Sequence, residues 1–179
     1  MDTSTILKTN SRYLGEENIN GIPCSVGYIQ ETRLRWYATQ MNAFVMIGTA
    51  PGKISGQLIN DFSARSFQYA LNNNKGLPRG VFSAIASIAI LQCNDPDKEA
   101  IQFCTGTGRK HWSAYEVPVL LDTEKRQAFR FKSYPFWGLV FYPWFAETID
   151  SITGKLADMT PQNREHTDTN VITNQKIQS

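Results

Sequence analysis

The sequence predicts an α+β fold: an antiparallel or mixed sheet of about five strands with about three helices, in the order β-β-α-β-α-β-β-α, the helices on one face. Three observations lead there. Apolar runs of strand length recur through the middle of the chain. Two segments repeat apolar residues at helical spacing. Turn signals join strands pairwise near both ends, so the strict βαβ alternation of a doubly wound parallel sheet is absent.

Residues 1–21 are polar and aperiodic and are expected to form a flexible leader. Val26 to Tyr37 alternates in part and holds β-branched and aromatic residues, a first strand. Ala43 to Ile47 is a continuous apolar run, closed by a turn at Ala50-Pro51-Gly52. Ser55 is a candidate N-cap. Leu58, Ile59, Phe62, Ser66, Tyr69 and Ala70 follow at helical spacing, and Asn72 to Gly76 ends the helix. Val81 to Cys93 is apolar on nearly all sides; its Ile-rich half suggests a buried strand, although periodicity alone leaves a buried helix open. Asp95 and Pro96 read as N-cap and first helical residue of a short helix through Phe103. Trp112 to Leu121 and Arg126 to Phe131 form a hairpin about the turn Asp122 to Lys125. Pro143 starts a last helix whose Phe145, Ile149, Ile152 and Leu156 make one apolar stripe. The domain therefore spans 22–159, and the polar 160–179 reads as a disordered tail.

The bulk numbers narrow the function classes. A chain of 179 residues, 41% hydrophobic and 12% aromatic, can bury a core without disulfides or metals. Its net charge is +2, but residues 33–132 carry thirteen Lys and Arg against seven Asp and Glu, a local +6. Cys24, Cys93 and Cys104 are too few and too far apart for a disulfide framework or a CxxC zinc site, and they suit a reduced, cytoplasmic protein. Neither a secretory signal nor a transmembrane span is visible, and no metal or cofactor is expected.

Several constellations bear chemistry. Thr105 to His111 (TGTGRKH) has two glycines and the bases Arg109 and Lys110, as an anion-binding loop would, but it lacks the spacing of a phosphate-binding motif. His111 and Glu116 could form an acid–base pair, although in one strand they would point apart. Glu116 and Asp122, followed by Glu124, Lys125 and Lys132, invite comparison with a metal-dependent nuclease, without its acid-x-lysine pattern. No histidine lies near Cys93 or Cys104 in sequence to activate a nucleophile. Tyr134 to Phe145 packs seven aromatics into twelve residues, suited to core packing, to docking a partner or to a membrane surface, the last opposed by the absence of Lys and Arg in the segment. If the first strand and the last hairpin are neighbours, Arg33 and Arg35 with Tyr37 and the trio Arg126, Arg130 and Lys132 form a basic face, able to bind nucleic acid or a phosphorylated ligand.

Arg35 to Phe44 (RWYATQMNAF), Lys75 to Gly80 (KGLPRG), Lys110 to Ala114 (KHWSA), Pro135 to Gly138 (PFWG) and Tyr142 to Phe145 (YPWF) resemble a family of small uncharacterised prokaryotic proteins, over roughly residues 30–150. The resemblance implies a single cytosolic domain and assigns no catalytic role. The leading expectation is a binding or assembly module whose ligand-binding residues are Arg35, Tyr37, Arg79, Arg109, Lys110, His111, Trp112, Arg130 and Trp137, with Trp144 as a further contributor. Its partner would be a protein or a second copy of the chain. The alternative is an enzyme on a phosphorylated or nucleic-acid substrate: Arg109 and Lys110 hold the anion, and His111, with Glu116, moves a proton.

Overall fold

The computed structural model describes residues 2–77, 80, 82–106, 109–133 and 139–159, without the side chains of Arg109 and Lys110. The expected tail at 160–179 lies outside the described residues. The elements are α1 (Thr3–Asn10), β1 (Arg12–Ile19), β2 (Ile22–Thr32), a 3-10 turn (Leu34–Trp36), β3 (Gln40–Thr49), β4 (Lys53–Ile54), α2 (Gly56–Asn73), β5 (Ser83–Cys93), β6 (Asp95–Pro96), α3 (Lys98–Thr105), β7 (Arg109–His111), β8 (Ala114–Asp122), β9 (Gln127–Phe129) and α4 (Tyr142–Met159). Among the described residues the fold is α+β with a mixed main sheet and four helices. Compared with the expected order, α1 and β1 precede it and the short β4, β6 and β7 interrupt it.

The main sheet runs β1-β2-β3-β5-β8-β7, with β9 also on β8. β1, β2 and β3 pair antiparallel, while β3, β5 and β8 are parallel. The parallel strands are buried on both faces, which is why their sequences read as unbroken apolar runs. Residues 83–93, which periodicity left open, are a strand. Two parallel crossovers, β3 to β5 through α2 and β5 to β8 through α3, advance across the sheet in one direction; with a common hand they place α2 and α3 on the same face. The second face is then covered by α1 and α4, so the expectation of helices on one face is corrected. Val45, Ile88 and Val117 pack with Leu7 of α1 and Ile149 of α4. Across the sheet, Leu91 and Leu120 pack with Phe62 of α2 and Cys104 of α3.

The expected leader is also corrected. Asp2 caps α1 by accepting from Thr5 N at 2.8 Å, and only Ile6 and Leu7 of that helix are buried. Two apolar residues are too few to show a period. Docking holds the helix: a Cβ on Gly27 of β2 would meet Leu7 Cδ2 at 2.9 Å, and Asn10 accepts from Lys155 of α4 at 2.9 Å. The first strand is earlier than expected because Asn20 and Gly21, both with positive φ, turn β1 into β2 in the manner of a tight hairpin.

The α3 cap moves too. Asp97, not Asp95, accepts from Ala100 N at 2.7 Å. Asp95 and Pro96 instead pair with Lys53 and Ile54, a tertiary choice between two aspartates that are locally equivalent. Ser55 caps α2 as expected, accepting from Leu58 N at 3.2 Å, and the α4 stripe Phe145, Ile149, Ile152 and Leu156 is buried. No helix among the described residues is long and apolar enough to cross a membrane.

Candidate functional site: a basic and aromatic pole

The parallel strands begin at one end of the sheet. Gln40 N donates to Phe82 O at 2.9 Å and Ile85 N to Ser113 O at 3.0 Å, while Ser113 Oγ donates to Gly80 O at 2.9 Å. The segments before β3, β5 and β8 therefore meet at one pole. There Leu34 is 93% exposed, Tyr37 84%, Trp112 78% and Phe82 66%, beside the exposed Leu77. Among the described residues, segments 33–39, 75–82 and 109–113 hold five Lys and Arg and no Asp or Glu. Two acids border these segments: Glu31 at the foot of β2 pairs with Arg33, and Glu116 of β8 lies across from Arg109. Beyond the opposite ends of β5 and β8, by contrast, the chain carries Asp95, Asp97, Glu99 and Glu124.

Backbone strain gathers at the same pole. Tyr37, Ala38 and Ser113 have φ of 53°, 57° and 48°, a left-handed region that costs non-glycine residues about 1 kcal/mol or more. The turn at 34–38 holds its shape because Trp36 beneath it is fully buried and Thr39 N donates to Trp36 O at 2.9 Å.

The expected site residues are thus sorted. Arg35, Tyr37 and Trp112 come together with the backbone of Arg109 and Lys110, but through loops rather than a shared strand face. Arg79 and Trp137, and residues 107–108 of the TGTGRKH loop, lie outside the described residues. Arg130 leaves the set: its Nε and terminal nitrogen hold both oxygens of Asp150 on α4 at 2.8 Å. The basic face expected across the first strand and the last hairpin does not form, because β3 and β5 lie between β2 and β8. Trp144 is core, edge-on to Trp36 with ring centres 5.5 Å apart, and Phe141, Tyr142 and Phe145 are buried with it. Leu34, Leu77 and Phe82 were not expected at the site; nothing local marks a lone leucine as exposed.

His111 and Glu116 also part from expectation. They are not in one strand: the chain reverses at Trp112 and Ser113, so His111 pairs with Ala114 and shares a face with Glu116 two residues on. His111 Nε2 lies 3.6 Å from Glu116 Oε2. The imidazole stacks on Phe67, ring centres 4.6 Å apart. The buried Glu116 accepts from Ser63 Oγ at 2.8 Å. A cleft of about 530 Å3 opens in front, with Arg65 and Gln68 on its wall.

Glu116 and Asp122 do not converge on a metal. Six residues apart on β8, they are separated by about 20 Å of strand, and Lys125 pairs with Asp122 at 3.0 Å. Among the described residues no three His, Cys, Asp or Glu groups gather as metal ligands. Burial pushes the Cys24 thiol up to about 12, Cys93 up to about 11 and Cys104 higher still, which is opposite to what a nucleophile needs.

No protein-family model, curated protein or solved structure matches the chain.

Proposed function

We propose that this chain is a binding and assembly module that docks an acidic partner protein through the basic and aromatic pole. The observation that supports the reading is the coincidence, on the three segments that meet there, of exposed Leu34, Tyr37, Phe82 and Trp112 with five bases and no acid among the described residues. Large apolar side chains clustered in the open mark interaction sites, and aromatics with arginine are the residues that anchor interfaces. The like charge of the pole opposes pairing with its own copy and favours an acidic partner. Leucine offers a nucleic acid neither a stacking face nor a hydrogen bond, so Leu34 favours a protein.

The test compares proteins retained from cell extract by the wild type and by Leu34→Ser/Tyr37→Ser/Trp112→Ser. An acidic partner kept by the first, lost by the second and released by 0.5 M salt supports the reading. Identical retention rejects it. Binding of single-stranded nucleic acid or anionic vesicles instead would replace the protein partner.

The His111–Glu116 contact favours a second reading, an enzyme acting on a phosphorylated or nucleic-acid substrate. A carboxylate beside Nε2 orients the ring and leaves Nδ1 to exchange a proton. Arg65 on the cleft wall would supply an anion contact; the side chains of Arg109 and Lys110 lie outside the described residues. Turnover of a phosphodiester reporter that His111→Ala abolishes and Glu116→Gln weakens would establish it; turnover unchanged in both variants would end it.

A further inference from the structure

A second cleft, on the α2 side of β1–β3, has a composition of its own. It encloses about 460 Å3, within the range of small-molecule sites. Rings make its wall: Phe44 lies 5.0 Å from Tyr28 and 6.1 Å from Tyr69. Arg12 and Lys75 stand at its edge. Arg12 lies over the Tyr28 ring at 5.8 Å, and neither cation has an ion pair among the described residues.

The wall is braced from behind. Asn42 is fully buried, and its Oδ1 accepts from Tyr28 OH at 2.6 Å and Gln30 Nε2 at 3.1 Å. Its Nδ2 donates to Ser83 Oγ at 3.1 Å. The lip requires a glycine: a Cβ on Gly76 would sit 2.8 Å from Asn42 Oδ1, so only glycine lets the turn after α2 lie here and set Lys75 at the opening. Gln30 spends its amide nitrogen on Asn42, and Asn73 spends its own on Tyr69 O at 2.9 Å. Each keeps a carbonyl oxygen to accept from a ligand.

We propose that this cleft binds a mononucleotide unit, an aromatic base carrying a phosphate. The rings contact the base, the Gln30 and Asn73 oxygens accept from its exocyclic amine, and Arg12 with Lys75 neutralise the phosphate. The same chemistry comes from a free nucleotide or from one residue of a nucleic-acid chain. The proposal shares only Lys75 with the pole and none of its exposed apolar residues.

Calorimetric titration of the full chain tests it, using the four ribonucleoside 5′-monophosphates, their nucleosides and inorganic phosphate. The expected result is that at least one nucleotide binds about tenfold or more tightly than its nucleoside and than phosphate, one such factor being about 1.4 kcal/mol. Arg12→Ala/Lys75→Ala should weaken it by a similar factor with an unchanged thermal midpoint, and the pole triple variant should leave it intact. An RNA hexamer that binds more tightly than any nucleotide assigns the site to a chain residue; weaker binding assigns it to the free nucleotide. No nucleotide binding at millimolar concentration, a nucleoside equal to its nucleotide, or binding untouched by the double variant would overturn the proposal.

Discussion

The indole N–H of Trp36 donates to the carbonyl of Val140 at 2.9 Å, joining positions 104 residues apart. The ring is tilted against Phe141 at 5.3 Å, with the Arg33 guanidinium over it at 5.1 Å. Leu34 and Tyr37, two and one residues away along the turn, stand in the open. One buried side chain thus anchors the turn that carries Leu34, the most exposed large apolar side chain among the described residues.

Trp36→Phe should therefore cost about 1–3 kcal/mol, because it leaves the Val140 carbonyl without its donor. Trp36→Ala should cost about 3–5 kcal/mol through the cavity it opens. Denaturant midpoints at constant slope measure both. A Trp36→Phe variant as stable as the wild type would mean that packing alone matters and the hydrogen bond contributes nothing.

Ala38 holds a φ of 57°, where glycine has no steric penalty. Ala38→Gly should leave stability unchanged or raise it by up to about 1 kcal/mol, since relieved strain offsets the freedom glycine adds to the unfolded chain. Ala86→Gly, in the buried centre of β5, should lower stability by about 1 kcal/mol or more. Thermal unfolding of the two variants separates the cases; equal losses would show that Ala38 is unstrained.

Asp2 gives α1 a pH dependence. Hydrogen bonds from the Thr5 hydroxyl, the Thr5 amide and the Ser4 hydroxyl lower its carboxyl from 3.8 to about 2. A depressed carboxyl contributes stability that is complete above its unfolded value and is lost as pH falls through the folded one. The Thr5 amide resonance should therefore titrate with a midpoint near pH 2, and Asp2→Asn should abolish the titration. A midpoint near 3.8 would show that the cap does not form.

All three cysteines are buried, and their thiols are held protonated by that burial. At pH 8 a thiol shifted to about 11, as Cys93 is, has roughly a thousandth of its population as thiolate. A disulfide reagent should label none of the three rapidly in the native protein and all three in concentrated denaturant. Rapid native labelling of Cys93 would place it in an accessible site.

The strongly patterned elements were legible in the sequence. β3, β5 and β8 are apolar runs because both faces of each are covered, and α2 and α4 show their stripes because each buries one face. α1 was not legible, since two apolar residues make no period. Nor was the choice of Asp97 over Asp95, which depends on the partner that Asp95 and Pro96 find at Lys53 and Ile54. Arg130 looked like a member of a basic surface until Asp150, twenty residues along and on another element, claimed it.

The residues of the pole were legible as types, and Arg35, Tyr37, His111 and Trp112 were singled out from sequence alone. Where they meet was not. By itself the sequence determined the local conformations, because period, caps and turns act over a few residues. The tertiary structure decided the neighbours. Parallel pairing of β3, β5 and β8 brings residues 40, 83 and 114 to one edge of the sheet, and the hairpin at Trp112 turns His111 toward Glu116. Such contacts depend on the closure of loops tens of residues long, which no short-range pattern encodes.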